Sequence, residues 1–298
     1  MAIRDQIRAL IPGFLLKGFR FYKKQKRNRE LHAMATAGKS LQKSDLVIQL
    51  KDMGICPNDA LMVHCRMSSI GHLAQGAQTL LEALQEAVGP SGHLLMPSSP
   101  VAELQYQYAL KQPLFDVRQT PSAMGALSEL FRQQPNTLRS WHPTEPVCAS
   151  GPLANWLITG HFKALTPYNA QSPYARLYEL DGKILYIGLT LINAGTHLHT
   201  LEDAVDFPYP VYHSEIFTFK IKDPHGHVHE VKTRVHNPEW SVKRRCDELI
   251  PGYEQGGVLK RIQLGQANCL LLQAKPFFEK MQSDFEKSGI TMYHPYGI

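Results

Sequence analysis

The sequence lacks the features that mark several classes of protein. It contains no internal repeat, no low-complexity tract and no C-x-x-C pair. The five cysteines are scattered and odd in number: Cys56, Cys65, Cys148, Cys246 and Cys269. This pattern argues against a disulfide framework and a cysteine zinc site, and it is typical of a cytoplasmic protein. With 43% hydrophobic residues among 298, the chain can bury a large core in one or two domains.

Excess positive charge is absent outside the first 43 residues. That segment holds eleven Lys and Arg residues against Asp5 and Glu30, a net charge of +9, so the rest of the chain carries −3 of the total +6. A nucleic-acid-binding surface requires a basic stripe on the folded body. The sequence therefore predicts no nucleic-acid partner, and we separate a basic segment, residues 1–43, from a globular domain, residues 44–298.

The basic segment has neither the pattern of a secretory signal nor that of a membrane span. Charges and Pro12 interrupt its apolar runs well short of about 18 residues, and no small-residue cleavage site follows them. Apolar residues recur at helical spacing near its start: Ile3, Ile7, Leu10 and Ile11. An apolar face beside the basic cluster KKQKRNR suits the anionic inner face of a membrane. The same pattern fits a helix that packs on its own domain or on a second subunit of a homodimer.

The pattern of the globular part predicts an α/β fold. A strand-like ALMVHC, a helix-like TLLEALQEAVG and a strand-like GHLLMPSS follow one another, which is a βαβ order. Residues 212–235 alternate in polarity around the turn DPHG and predict a β-hairpin. We therefore expect a layered α/β/α domain with a central mixed sheet, an α+β portion that contains the hairpin, and a basic amphipathic helical segment at the N-terminus.

Polar residues crowd into the segment INAGTHLHTLEDAVDFPYP, residues 192–210, directly after the apolar strand KILYIGL. Thr196 follows a glycine and has the side chain of a helix N-cap. On the predicted helix, Thr196, His199 and Glu202 are spaced i, i+3, i+6 and share one face. Catalytic residues often lie at the polar start of a helix that follows a strand and a loop. Histidines at such a position are also found as ordinary solvated or capping residues.

Small residues fill the loop HCRMSSIGHLAQGAQ between the first predicted strand and the next helix. Backbone N–H groups and hydroxyls of such a loop can approach a phosphate, and the helix N-terminus favours negative charge. The small residues concerned are Ser68, Ser69, Gly71 and Gly76. Serine and glycine loops are also common as plain turns, so the loop alone leaves both interpretations open.

Four segments in order resemble the aminoglycoside 3-N-acetyltransferase family, also called the antibiotic N-acetyltransferases. They are LMVHCRMSSIGHLAQGAQTLLEALQEAVGPSGHLLMPS, FDVRQTPSAMGALSELFRQQPNTLRSWHP, SPYARLYELDGKILYIGL and THLHTLEDA, with a weaker match in IQLGQANCLLLQA. The four cover roughly residues 45–205. The resemblance implies an α/β enzyme that binds acetyl-CoA and transfers the acetyl group to an amine of a small amino-sugar substrate, without a metal.

The resemblance also implies roles for the polar residues. His199 is expected to be the general base, oriented by Glu202 or Asp203, with Thr196 bonded to the thioester sulfur or carbonyl. A helix N-terminus disfavours the imidazolium and so keeps such a base neutral. Cofactor contacts are expected from Ser68, Ser69, Gly71, Gly76 and His142, and from Arg66, which departs from the family pattern and could pair with a phosphate or equally with an acid of the substrate. Acceptor contacts are expected from Asp116, Glu145, Asp203 and His64.

Three alternatives stay open. Cys65 or Cys148 could form an acyl-enzyme, whereas the resemblance favours direct transfer. The acceptor is either an aminoglycoside or an amino sugar carried on a nucleotide or polyprenyl phosphate; the mildly acidic body and the N-terminal segment favour the second. Arg66, Gln75 and Pro146 depart from the family pattern, so the chain could also be a CoA-binding scaffold without turnover.

Overall fold

The computed structural model describes residues 13–294, without the side chains of residues 13–17 and 20. The helical positions Ile3, Ile7, Leu10 and Ile11 lie outside the described residues. The elements of the first half are α1 (Gly13–Thr36), α2 (Lys43–Asp52), β1 (Ala60–Cys65), a 3-10 turn (Met67–Ser69), α3 (Ala77–Val88), β2 (His93–Pro97), α4 (Gln105–Lys111), β3 (Phe115–Asp116), α5 (Ala126–Arg132), β4 (Leu138–Arg139) and β5 (Val147–Ser150).

The second half continues with shorter helices and two antiparallel strand pairs. Its elements are α6 (Ala154–Ile158), α7 (Pro173–Glu179), β6 (Lys183–Ile187), α8 (Leu191–Ala194), a 3-10 turn (Thr196–His199), α9 (Thr200–Ala204), β7 (Phe217–Lys222), β8 (Val228–Thr233), α10 (Pro238–Ser241), a 3-10 turn (Cys246–Leu249), α11 (Ile250–Gln255), β9 (Leu259–Leu264), β10 (Ala267–Gln273) and α12 (Ala274–Ser288).

Seven strands form the central sheet in the order β4, β5, β2, β1, β6, β10, β9. The middle strands β2, β1 and β6 run parallel, and antiparallel β5 and β10 flank them. Along β1, Leu61 and Val63 belong to a core with α2, α3 and α5, whereas Met62 belongs to a second core with α7 and α12. Burial on both faces explains why residues 60–63 of this strand are all apolar rather than alternating. The predicted α/β/α layers and mixed sheet are confirmed.

Three further strands form a small sheet in the order β3, β7, β8. β7 and β8 pair antiparallel, so the predicted hairpin is present. Asp223 closes its turn by accepting the backbone N–H groups of His225 and His227 at 2.8 and 3.0 Å. The Nε2 atom of His229 lies 2.9 Å from the same carboxylate. The imidazole of His229 thus contributes to the turn, whereas the two backbone hydrogen bonds would form with any non-proline residue at positions 225 and 227.

Helix α1 is tied to the loop between β1 and α3, residues 66–76, which we call the serine loop. The Arg27 Nε atom donates to the backbone carbonyl of Ser68 at 2.6 Å. Gly71 of the same loop is so close to α1 that an added Cβ would lie 3.1 Å from the methyl carbon of Met34. The helix therefore supports the serine loop. None of the described helices is both long and apolar enough to cross a membrane.

Gly188, directly after β6, is pressed against the serine loop. Its φ is +65°, and a Cβ there would overlap the side chain of Ser69. We expect Gly188→Ala to lower the free energy of unfolding by about 2–4 kcal/mol, through left-handed strain and overpacking together. Gly226→Ala is the matched control, since its φ is +94° but a Cβ there meets open space. Urea denaturation measures the free energy of unfolding of both variants. Equal losses of this free energy would contradict the expected overlap of the added methyl group with Ser69.

Candidate active site

The carboxyl ends of β1 and β2 open into a cavity of about 590 Å³, which we call the loop cavity. In open α/β sheets, ligands bind outside this edge of the strands. The lining includes His64 at the end of β1, Arg66 and Ser68 of the serine loop, the start of α5, and Thr196. The volume lies within the range of small-ligand sites, about 300–1,000 Å³.

The serine loop faces two sides. Arg66 and Ser68 line the loop cavity, whereas Ser69 lines a neighbouring groove of about 730 Å³ together with residues of β9 and β10. Gly71 and Gly76 line neither space. Gly76 has a φ of +60° and directly precedes α3, so it lets the chain turn into that helix. Of the cofactor residues expected in this loop, Arg66, Ser68 and Ser69 line the cavity or the groove. Gly71 and Gly76 instead shape the loop.

A second cavity, of about 570 Å³, lies at the end of α9, and we call it the carboxylate cavity. Three charged side chains line it: Glu202, Asp203 and Arg234. Phe207 and Tyr212 supply aromatic surface beside them. Apolar walls with a few convergent polar groups are the usual composition of a small-molecule site.

One short segment reaches both cavities. Thr196 lines the loop cavity, and Glu202, two short turns later, lines the carboxylate cavity. The prediction that Thr196 caps a continuous helix is wrong, because the chain forms a 3-10 turn over Thr196–His199 before α9, and no side chain caps that turn. The break in the helix means that Thr196 and Glu202 face different cavities, with His199 between them in the chain.

Glu202 is the centre of a buried hydrogen-bond network. The Nδ1 atom of His199 lies 2.7 Å from its Oε1, and the Nε2 atom of His236 lies 3.1 Å from its Oε2. The Tyr293 hydroxyl donates to Oε1 at 2.5 Å. Glu202 and both histidines are each only 6% exposed. A buried carboxylate with three donors is stabilised as the anion.

Burial and hydrogen bonding together set the charges in this network. Burial lowers the pKa of His199 to about 3, although the Glu202 carboxylate opposes the shift. Burial alone would raise the pKa of Glu202, but the two imidazoles and their hydrogen bonds bring it below its ordinary value. The lowered pKa of His199 and the lowered pKa of Glu202 both agree with an ionised Glu202 that accepts N–H bonds from two neutral imidazoles. Nδ1 of His199 then carries the proton, and no hydrogen bond from the described residues occupies its Nε2.

Two tyrosines hold the imidazoles in place. Tyr168 stacks on His199 with ring centroids 4.9 Å apart, and Tyr212 stacks on His236 at 5.0 Å. Neither tyrosine was predicted from the sequence, and neither were His236 and Tyr293. All four lie outside the segment that carries the motif, and no spacing relates them to His199 before the chain is folded.

The same cluster has the composition of a metal site. Candidate ligand atoms of His199, Glu202 and His236 lie within 4.8 Å of one another. Two imidazoles and one carboxylate suit several transition metals. Here the atoms that would face an ion are paired with each other by hydrogen bonds. Those hydrogen bonds account for the closeness of the three side chains.

The sequence matches the family model for aminoglycoside 3-N-acetyltransferases over residues 62–286. The chain belongs to this family. Among curated proteins, aminoglycoside N(3)-acetyltransferase IV from Salmonella is 36% identical over 172 residues, which are 57% of this chain and 62% of the relative. Aminoglycoside N(3)-acetyltransferase VIII from Streptomyces fradiae is 31% identical over 192 residues, 60% of this chain and 66% of the relative. The chain therefore spans a little under two thirds of the length of these acetyltransferases.

Solved structures of acetyltransferases share the fold. AAC-IIIb in a binary complex with CoASH superposes with a TM-score of 0.72 at 25% identity, covering 83% of this chain and 97% of that one. A histidine-to-alanine variant of AAC(3)-IVa in complex with a gentamicin gives a TM-score of 0.72 at 27% identity, covering 86% and 92%. The family resemblance and the fold predicted from the sequence are both confirmed.

Three expected ligand contacts of this acetyltransferase-family chain line neither cavity: His142, Glu145 and Asp116. His142 is fully buried, and its Nδ1 lies 3.1 Å from the backbone nitrogen of Glu145. Asp116 accepts two backbone N–H groups of the following turn at 2.9 Å and pairs with Lys222 at 3.2 Å. Their contacts are those of residues that shape loops.

His64 and Asp203 do line cavities, but not the same one. His64 lines the loop cavity, where its Nε2 is buried without a partner among the described residues, and burial lowers its pKa to about 3. Asp203 lines the carboxylate cavity and accepts the backbone N–H of Tyr168 at 3.1 Å. Burial raises the pKa of Asp203 to about 6. Only Asp203 is thus placed beside Glu202.

The two candidate thiol nucleophiles are held in the neutral form. Burial raises the pKa of Cys148 to about 11, and burial also raises the pKa of Cys65. The thiolate is the nucleophilic form of cysteine, and neither environment stabilises it. A raised thiol pKa disfavours an acyl-enzyme at either residue, although Cys65 lines the loop cavity.

Glu145 contributes to stability in a pH-dependent way. Burial raises its pKa from 4.5 to about 7, and Gln105 donates a hydrogen bond to it. The unfolded chain therefore loses this proton at lower pH than the folded chain, and stability falls as pH rises from about 4.5 to about 7. Relative to wild type, Glu145→Gln should gain about 3 kcal/mol of unfolding free energy between pH 4.5 and pH 8, since each unit of pKa corresponds to about 1.4 kcal/mol.

Urea denaturation across this pH range measures the difference between Glu145→Gln and wild type. Glu230→Gln, at an exposed position of β8, controls for the chemical change itself. A difference between Glu145→Gln and wild type that stays constant with pH would contradict the raised pKa of Glu145.

Proposed function

We propose that the protein is an acetyl-CoA-dependent N-acetyltransferase that acetylates an amine of an amino sugar, with His199 as the general base. One observation carries the proposal: the segment from Thr196 to Glu202 reaches two cavities of small-ligand size. The loop cavity would hold acetyl-CoA, and the carboxylate cavity would hold the acceptor. The CoASH complex of the related AAC-IIIb supports the choice of cofactor.

The hydrogen bonds of His199 suit the proton transfer that this reaction needs. An ammonium group cannot attack a thioester, so the acceptor amine must lose a proton. Neutral His199, held through Nδ1 by Glu202, offers Nε2 to receive it. The neutral amine nitrogen bonds to the acetyl carbon and releases a second proton to solvent, the C–S bond breaks, and the imidazolium can return the first proton to the departing thiolate. The Glu202 carboxylate stabilises the imidazolium in between.

Residues of the loop cavity are placed to bind acetyl-CoA. Arg66 is exposed in the lining, and a guanidinium matches phosphate oxygens with two parallel hydrogen bonds. Ser68 lies beside it in the same lining. Thr196 lines the same cavity and is closer in the chain to the proposed base His199 than Arg66 and Ser68 are. This position supports its proposed contact with the thioester.

Aminoglycosides are the acceptor class that the relatives support. The curated relatives are named aminoglycoside N(3)-acetyltransferases, and the AAC(3)-IVa variant is in complex with a gentamicin. None of these names supports an amino sugar carried on a nucleotide or polyprenyl phosphate, the acceptor that the sequence favours. Ionised Glu202 and neighbouring Asp203 supply negative charge that attracts an amine.

Replacing His199 tests the proposed base. We expect His199→Gln to lower kcat for acetyl transfer by about 10²- to 10⁴-fold, the usual contribution of a positioned base. The affinity for acetyl-CoA should stay unchanged, because His199 is not among the residues that line the loop cavity. Single-turnover release of the CoA thiol, with aminoglycosides and other amino sugars as acceptors, measures the effect.

His227→Gln is the matched control, since this histidine lies on the exposed hairpin with 75% of its side chain accessible. Full acceptor-dependent release by His199→Gln would show that the base lies elsewhere. Acetyl-CoA binding by wild type without release to any amine would instead support a scaffold without turnover.

Helix α1 supports a separate proposal, contact with an anionic membrane surface. Phe19, Phe21 and Tyr22 are 56%, 64% and 61% exposed. Lys23 and Lys24 follow them directly in the chain. Aromatic side chains beside lysines suit the interface of an anionic bilayer.

Substitution tests this contact better than truncation, because Arg27 of the same helix supports the serine loop. We expect wild type to float with phosphatidylglycerol vesicles and the double variant Phe19→Ser/Phe21→Ser to stay in the soluble fraction. Leu104→Ser removes an exposed apolar residue elsewhere and should float like wild type. Equal flotation of wild type and double variant would contradict the proposal. A dimer of wild type that the double variant abolishes would assign these aromatic residues to a second subunit.

A further inference from the structure

The carboxylate cavity contains a cation that the proposed proton transfer does not use. Arg234 is one of its three charged lining residues. Its Nε atom is buried without a hydrogen-bond partner among the described residues. Within residues 13–294, its guanidinium forms no ion pair with Glu202, whose oxygens are bonded to imidazoles. An unpaired guanidinium in a ligand-sized cavity points to a negatively charged ligand group.

The backbone at Arg234 is firmly held. The backbone N–H of Arg234 donates to the carbonyl of Leu165 at 2.7 Å, and the Thr233 hydroxyl donates to the carbonyl of Arg234 at 3.0 Å. Val235, the next residue, is fully buried. His236 then bonds to Glu202. The same stretch of chain therefore positions both the cation and the carboxylate that supports the proposed base.

The carboxylates of this cavity already have other partners. Glu202 is bonded to two imidazoles and a tyrosine hydroxyl, and Asp203 accepts the backbone N–H of Tyr168 at 3.1 Å. Arg234 thus remains available to a ligand. A guanidinium binds a phosphate or a carboxylate through two parallel hydrogen bonds, whereas a second cation placed beside it is repelled.

We propose that Arg234 binds an acidic group of the acceptor, a phosphate or a carboxylate, so that the protein prefers acidic amino sugars to neutral or polycationic ones. This inference rests on the proposed acetyl transfer and specifies its acceptor. The amine of the acceptor lies toward His199 and Glu202, and its acidic group lies toward Arg234. The charge of the acceptor would then differ from that of the aminoglycosides named for the relatives.

The test compares acceptors that differ in charge: glucosamine, glucosamine 6-phosphate, glucosaminic acid and a polycationic aminoglycoside. For wild type, we expect kcat/KM for at least one acidic acceptor to exceed that for glucosamine by about 10- to 100-fold, the usual effect of a charge-assisted hydrogen bond. The two acidic probes separate a phosphate preference from a carboxylate preference. Arg234→Gln should abolish the advantage, mainly through KM.

Lys232→Gln is the matched control, because this exposed lysine of β8 lines no part of the carboxylate cavity. It should keep the preference for the acidic acceptor. Equal kcat/KM for acidic and neutral acceptors in wild type would overturn the inference, as would an equal loss in Arg234→Gln and Lys232→Gln. The inference also fails if wild type turns over the polycation faster than both acidic acceptors.

A binding measurement separates this inference from the proposed function. If wild type acetylates no amine at all, the proposed function fails, but calorimetric titration with glucosamine 6-phosphate and with glucosaminic acid remains informative. At least one of the two should bind wild type about 10- to 100-fold more tightly than Arg234→Gln. Equal affinities of the two proteins for both probes would overturn the role of Arg234 independently of catalysis.

Discussion

The site depends on one constraint, the burial of an ionised carboxylate at Glu202. A buried charge without partners is strongly destabilising, so its hydrogen-bond donors have to be in place when the chain folds. They come from three parts of the chain: His199 just before it, His236 after the hairpin, and Tyr293 after the last helix. The small sheet and the C-terminal segment must therefore pack against the central domain for the network to form.

The same carboxylate explains how two cavities can serve one reaction. Its hydrogen bond holds Nδ1 of His199 and leaves Nε2 unoccupied by the described residues. Thr196 and Glu202 mark the two sides of this short segment, one toward each cavity. Direct acyl transfer requires a base within reach of both the thioester and the amine, and the proposed function gives that role to His199. Burial raises the pKa of the Cys65 and Cys148 thiols, which disfavours the thiolate form that a competing nucleophile would need.

Local patterns predicted the parts of the fold and site that depend on neighbouring residues. The apolar strands, the βαβ order and the hairpin all follow from short spacings, whereas the sequence left open whether Glu202 or Asp203 pairs with His199. The partners of Glu202 from later in the chain could not be predicted, because contacts between distant residues leave no periodic signal. The N-cap at Thr196 was predicted wrongly, since a tight turn replaced the first helical turn. Asp116, expected to contact the acceptor, has the hydrogen bonds of a turn cap.

A crystal structure of the protein with CoA and an amino-sugar acceptor would test the central claim most directly. The proposed arrangement predicts the thiol end of CoA in the loop cavity near Thr196. It also predicts the acceptor in the carboxylate cavity, with its amine within hydrogen-bond distance of Nε2 of His199. A cofactor bound along the groove of β9 and β10, or an amine bound away from His199, would contradict it.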